Sequence, residues 1–168
     1  FKKIQDSPKP SVIIAKKYSA KVLIAYNRRF YSSVIKAKEI IAKDGGITSF
    51  NFEFTEWSHI IEKLQTPINI KQNWFLANST HVVDLAFYLG GKPKTISSFT
   101  SGQLDWHASS AVFSGAGESD KEALFCYHAN WAAPGRWVVE VLTKNHRIYF
   151  KPMEKLHIQK LGSVGLTL

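Results

Sequence analysis

The densest group of residues able to do acid–base chemistry lies in Asn73-Trp74-Phe75-Leu76-Ala77-Asn78-Ser79-Thr80-His81-Val82-Val83-Asp84. On a helix, His81 and Asp84 stand three residues apart and Ala77 and His81 four apart, so all three share a face. An imidazole titrates near neutrality, and beside a carboxylate it is a workable general acid or base. The same pair can equally be a structural hydrogen bond, so spacing alone leaves both roles open. No metal motif is expected. None of the six histidines stands in a two-histidine spacing with a glutamate between, and His59, His81, His107 and His128 would have to converge by chance. No serine-nucleophile glycine pattern occurs. The glycine pairs at 45–46 and 90–91 follow helical patterns, whereas phosphate-cradling glycines stand between a strand and the following helix. The sequence therefore carries no dinucleotide fingerprint and no cofactor-binding residue is assigned.

The elements that must position these residues are read from periodicity. Lys21-Val22-Leu23-Ile24-Ala25-Tyr26 reads as a short buried strand ended by Asn27-Arg28-Arg29-Phe30. A helix follows to Lys43, with Ser32 or Ser33 able to cap it and Val34, Ala37, Ile40 and Ile41 on one face. Asp44-Gly45-Gly46 stops it. From Ile47 the period becomes two, with Phe50, Phe52 and Phe54 opposite Ser49, Asn51 and Glu53. Residues 57–72 read as an excursion of loop and short helix. Asn73–Leu89 is predicted as one helix, closed by Gly90-Gly91 and Pro93. Strands are expected over Thr95–Thr100, Ala108–Gly115, Glu122–Trp131, Trp137–Thr143, Arg147–Lys151 and Lys155–Leu161, with a tight hairpin at Lys144-Asn145-His146. No helical pattern separates these strands, so most should pair antiparallel. Their apolar residues, among them Val112, Phe113, Leu124, Phe125, Tyr127, Trp137, Val139 and Val141, are too many for two helices to cover. One sheet face is therefore expected to meet a second subunit.

Bulk properties narrow the class. A chain of 168 residues can bury its own core, and no run approaches the roughly 18 apolar residues of a membrane helix. The single cysteine, Cys126, excludes a disulfide framework, and a cytoplasmic setting is the simplest expectation. The net charge of +9 comes from 22 Lys and Arg against 13 Asp and Glu, scattered singly or in pairs such as Lys2-Lys3 and Arg28-Arg29. Scatter of this kind suits a solvated basic surface better than a nucleic-acid face, and it can also attract a phosphorylated cofactor or an anionic sugar.

Three stretches carry a family resemblance. Val22-Leu23-Ile24-Ala25-Tyr26-Asn27-Arg28-Arg29-Phe30-Tyr31, followed by a helix and Gly45-Gly46-Ile47, resembles the junction segment between the two domains of the glucose–fructose oxidoreductase/inositol 2-dehydrogenase (Gfo/Idh/MocA) family. Ser79 to Pro93 resembles that family's helix with a histidine, an aspartate three residues on, and a closing L-G-G-x-P. The strand-rich remainder, including Trp131-Ala132-Ala133-Pro134-Gly135-Arg136, is similar to its large C-terminal sheet.

The resemblance implies an α+β fold: a large, mostly antiparallel (mixed), open-faced sheet with helices on one face, as in the dihydrodipicolinate-reductase-like C-terminal domain of the family. It implies that residues 1–25 are the end of an N-terminal Rossmann domain or its linker, and that 26–168 form the substrate-binding and oligomerisation domain. The whole protein would transfer hydride between NAD or NADP and a sugar, nucleotide sugar or cyclitol. That cofactor would be bound mainly by the Rossmann domain of the same polypeptide, and this chain alone would be inactive. His81 falls on the family's catalytic histidine. Asn78, Asp84, Arg28 and Arg29 fall where substrate contacts are expected, and the open sheet face would form a homo-oligomer. No metal, nucleic acid or membrane is implied. Two departures stand out. Ala77 takes the place of the aspartate four residues before the histidine, and the lysine of an E-K-P motif has no counterpart, since Lys9-Pro10 follows Pro8. Two other readings compete: a non-catalytic oligomerisation scaffold, and a basic module that binds nucleic acid or polysaccharide.

Overall fold

In the computed structural model, which describes residues 10–21 and 24–167, the aromatic stripe becomes strand β1, Ser49–Glu53. Phe50, Phe52 and the following Phe54 are each at most 3% exposed, so one face of this strand is sealed. Six more strands join it: β2 Pro93–Ser101, β3 Val112–Ser119, β4 Leu124–Asn130, β5 Val138–Leu142, β6 His146–Phe150 and β7 His157–Lys160. Their order is β2-β3-β4-β1-β5-β6-β7. All neighbours are antiparallel except β1 and β4, which run parallel with Phe50 beside Phe125 and Phe52 beside Tyr127. The sheet is mixed and open, and the two helices that pack on it cover one face, as expected.

Among the described residues five α-helices accompany it: α1 Pro10–Lys17, α2 Ser32–Lys43, α3 Ser58–Ile61, α4 Ile68–Gln72 and α5 Thr80–Gly90. Helix α5 lies over β1 and β5, and α2 over β6. Val82, Leu85 and Ala86 of α5 and Val34 and Ala37 of α2 are fully buried against Val139, Val141, Ile148 and Phe150. Burial of this kind is the main stabilising term, about 1.5–3 kcal/mol for each large apolar side chain.

Several expectations need correction. Phe125, Trp137, Val139 and Val141 do not form a bare face, because they are buried beneath the helices. By register the opposite face carries Asn51, Glu140 and Arg147, joined side chain to side chain at 3.0 and 2.7 Å, together with exposed Phe99 and Leu124. Neither Ser32 nor Ser33 caps α2. Its N-cap is Tyr31, which makes no side-chain capping bond. The expected strand at 21–26 is not formed at Ile24–Tyr26, and Val22 and Leu23 lie outside the described residues. The strand placed at Ala108–Gly115 starts at Val112 instead. Finally, the predicted helix 73–89 is two pieces, a π-helical turn at Phe75–Ser79 and then α5.

The two glycines that close α5 do different work. Gly91 has φ +95° and ends the helix in a conformation glycine adopts without strain. Gly90 is still helical, and a Cβ there would overlap the Phe50 ring. Gly90→Ala should therefore lower stability by about 1–3 kcal/mol, although alanine is the better helix former. Urea unfolding of the two proteins measures it.

The turn between β5 and β6 is held from α2. Asp44 at the end of α2 accepts hydrogen bonds from Thr143, from Asn145 at 3.0 Å and from His146 Nδ1 at 2.7 Å. These bonds hold its carboxyl down at about 2, with the Thr143 hydroxyl contributing most. Because the folded-state value lies below the ordinary carboxylate value, this contribution is present above about pH 4 and fades as pH falls through 2. Asp44→Asn should melt lower than the parent at pH 7, with the difference shrinking towards pH 2 in thermal scans.

Candidate functional site

The side chains singled out in the sequence meet where α5 begins, and the structure adds partners to them. His81 is half-buried and sets its ring edge-on to Tyr26 at 5.6 Å. It makes no hydrogen bond to Asp84. Both oxygens of that carboxylate instead accept from Arg29, through Nε at 2.7 Å and through Nη2. The Nδ1 atom of His81 is buried without a protein partner. Burial and the neighbouring Arg28 cation push the imidazole below its ordinary pKa, outweighing the opposite pull of Asp84. The side chain is therefore neutral at physiological pH, the state in which an imidazole can accept a proton.

Arg28 and Arg29, adjacent in sequence, diverge. Arg29 pairs with Asp84 and lies over the Tyr88 ring at 4.7 Å. Arg28 bonds Tyr31 at 3.3 Å and Glu154 at 3.2 Å, and covers Trp137 at 4.7 Å. Trp137 also stacks with Arg136 at 4.7 Å on the loop between β4 and β5. Arg136 in turn reaches Glu56 at 3.6 Å.

Glu56 is the residue that the sequence reading missed. It is 2% exposed and receives Ser79 Oγ at 2.6 Å and Asn78 Nδ2 at 3.1 Å. Burial raises its pKa against the lowering effects of Ser79 and Arg136. Trp74 also lies close enough to lower it, although the indole N–H makes no hydrogen bond of normal geometry. Contacts run in a chain from Arg28 through Trp137, Arg136 and Glu56 to Asn78, which lies three residues before His81. Arg136, Trp57 and Trp137 were likewise not singled out.

An apolar cavity of about 670 Å³ lies nearby between the π-turn, α5 and strands β2 to β4, with Phe54, Phe75, Phe113 and Tyr127 among its walls. His81 is not among its lining residues, so this cavity is set apart from the histidine. Among the described residues no group of three His, Cys, Asp or Glu could hold a metal ion, and no helix is long and apolar enough to cross a membrane. Also among them, no positive-φ glycine stands between a strand and the start of a helix, so they provide no cradle for a dinucleotide pyrophosphate.

No protein-family model and no curated protein matches the sequence. Solved structures do match the fold. A protein described as an NADPH-dependent oxidoreductase from Desulfitobacterium hafniense superposes with a TM-score of 0.70 at 15% identity, over 92% of this chain and 51% of that one. Levoglucosan dehydrogenase in complex with NADH and levoglucosan gives 0.68 at 19% identity, over 92% and 49%. A UDP-N-acetylglucosamine 3-dehydrogenase from Acidithiobacillus ferrooxidans gives 0.65 at 12% identity, over 94% and 50%. The fold is that of one half of these oxidoreductases. This chain spans about half the length of the structures it matches. They are the kind of protein that the sequence resemblance named.

The electrostatics of His81 can be tested directly. Its NMR titration should fall below the ordinary histidine value of about 6.5. Arg28→Gln should move it up, because a like charge is removed, and Asp84→Asn should move it down. A shift in the opposite direction for either variant would refute the assignment of causes.

Proposed function

We propose that this chain is the substrate-side domain of an NAD(P)-dependent oxidoreductase of the glucose–fructose oxidoreductase/inositol 2-dehydrogenase type, acting on a C–OH group of a sugar, nucleotide sugar or cyclitol. One observation carries the reading: on a fold shared with half of three such oxidoreductases, the histidine that falls on the family motif is held neutral at the start of α5. In this proposal residues 26–168 supply substrate and subunit contacts, and 1–25 lead from a Rossmann domain that binds NAD or NADP. The nicotinamide supplies the hydride chemistry. The residues of this chain hold the sugar and handle the proton.

The neutral His81 imidazole takes the proton of the hydroxyl being oxidised, and returns it in the reverse direction. Burial, with the Arg28 cation in support, favours its neutral form beforehand. Asp84 and Arg29 satisfy each other, so their part is to fix the junction segment against α5 rather than to titrate. Asn78, tied to Glu56, is placed to present its amide to a sugar hydroxyl. Self-association through the open face is part of the proposal and rests on exposed Phe99 and Leu124.

Two features support this reading over a nucleic-acid module. All four arginines are paired with carboxylates and lie over aromatic rings at separate places in the fold, so they do not form a continuous basic stripe for a phosphate backbone. A mere scaffold, for its part, has no need of an imidazole whose buried Nδ1 is left without a protein partner.

In a polypeptide that includes the Rossmann half, His81→Ala and His81→Asn should each lower turnover by about 10²–10⁴-fold while leaving nucleotide binding unchanged. Turnover and melting temperature are measured on the same preparations. A destabilised His81→Ala with full activity per folded molecule would sink the catalytic role and leave a packing histidine.

A further inference from the structure

Arg136 is fixed from several sides and still reaches solvent. Its guanidinium carbon lies over two indoles, 4.8 Å from the Trp57 ring centroid and 4.7 Å from that of Trp137. Trp57 is itself anchored, donating its indole N–H to the Gly135 carbonyl at 2.9 Å. The carboxylate partner, Glu56 Oε2, stands at 3.6 Å from one end of the guanidinium. Even so, the Arg136 side chain is 49% exposed, and Trp57 is 47% exposed.

The other arginines differ. Arg29 is engaged by both oxygens of Asp84, Arg147 by Glu140 at 2.7 Å, and Arg28 is only 19% exposed. Arg136 has five N–H donors in a planar fork, and its one carboxylate partner is distant and shared with Ser79 and Asn78. Since it packs over two tryptophan rings, part of its side-chain freedom is already lost before a ligand arrives. Such a fork is suited to a two-pronged contact with an oxyanion. Arg136 does not itself line a groove, but Trp57, which it covers, and Gly135, which precedes it, are in the wall of one of about 470 Å³ that also includes His59, Glu62 and Trp131 and is large enough for a sugar. The net charge of +9 favours the approach of anions.

We propose that Arg136 and Trp57 form the subsite for an oxyanion, carboxylate or phosphate, carried by the sugar substrate, so that anionic sugars are selected over neutral ones. The word substrate rests on the function proposed above; the binding itself does not require turnover. Arg136 meets the anion with the free edge of its fork, and the exposed part of Trp57 meets the apolar C–H surface of the sugar ring.

The test is titration of this chain with glucose 1-phosphate, glucuronate and glucose, followed by calorimetry and tryptophan fluorescence. At least one of the two anionic sugars should bind roughly ten- to a hundredfold more tightly than glucose, the range expected for a charge-assisted pair of hydrogen bonds. Preference for the first assigns a phosphate, and preference for the second a carboxylate. Arg136→Gln should abolish the preference, and Arg136→Lys should weaken it while retaining the charge. Arg147→Gln, on the open sheet face, should leave it intact. Equal binding of all three sugars, no binding of either anion, or equal losses from Arg136→Gln and Arg147→Gln would each overturn the subsite. Should Arg136→Gln fail to fold, the Arg136→Lys titration decides, and an unchanged preference in it refutes the two-pronged contact. In a polypeptide that includes the Rossmann half, nucleotide-dependent oxidation confined to neutral sugars overturns this inference but not the proposed function. Anion binding without any such oxidation does the reverse.

Discussion

A carboxylate buried to 2% exposure must find hydrogen-bond donors or lose its charge, and Glu56 is placed under that constraint at the end of β1. Its donors come from two other parts of the chain. Ser79 and Asn78 belong to the π-turn that feeds α5, and Arg136 belongs to the loop between β4 and β5. Satisfying one side chain therefore fixes three segments relative to one another. The π-turn is a departure from regular helix of the kind often found beside functional residues. Here its last two residues are the ones that bond Glu56, so the irregularity is tied to the buried charge and sets where α5, and His81 with it, begins.

The arginines extend the same logic outward. Each has a carboxylate and at least one aromatic ring, which holds the guanidinium plane while leaving its edge to hydrogen-bond. Arg28 and Arg136 lie over the same Trp137, and their positive charge bears on opposite sides of the site. On one side it lowers the His81 pKa, and on the other it opposes protonation of Glu56. The basic composition is thus not a diffuse coat where the arginines are concerned. They are structural members of the junction and the site, and the scattered lysines supply most of the free charge.

How much of this was legible follows from the range of the interactions. Helix α2, strand β1 and the body of α5 were readable because their burial is periodic, and the closing glycines marked their ends. The capping of α2 was not, since Ser32 and Ser33 lie inside the helix and Tyr31 precedes it. Asn73 to Ser79 looked helical because a π-turn preserves much of the apolar spacing. The start of β3 was placed four residues early because Ala108 to Ala111 carry no signal that separates an approach segment from the ladder that begins at Val112. Glu56 did leave a signal. It is in phase with Phe50, Phe52 and Phe54, and an acidic residue on the inward parity of a strand must be paired or special. Arg136 and Trp137 left none, because their partners are distant in sequence and only the sheet order joins them.

That joining depends on the one parallel pair in the sheet. Because β1 and β4 run side by side in the same direction, Ser49 beside Leu124 through Glu53 beside His128, the segments leaving both strands emerge at the same edge. One carries Phe54 to Trp57 and the other Trp131 to Trp137. They lock at once: Asn130 N–H donates to Thr55 Oγ1 at 3.1 Å, Trp131 Nε1 to the Phe54 carbonyl at 3.0 Å, and Trp57 Nε1 to the Gly135 carbonyl at 2.9 Å. Had the two strands been antiparallel neighbours, these segments would have left at opposite edges, and Glu56 could not have met Arg136. The aromatic stripe of β1 seals the core. Its pairing direction is what turns the end of that strand into a site.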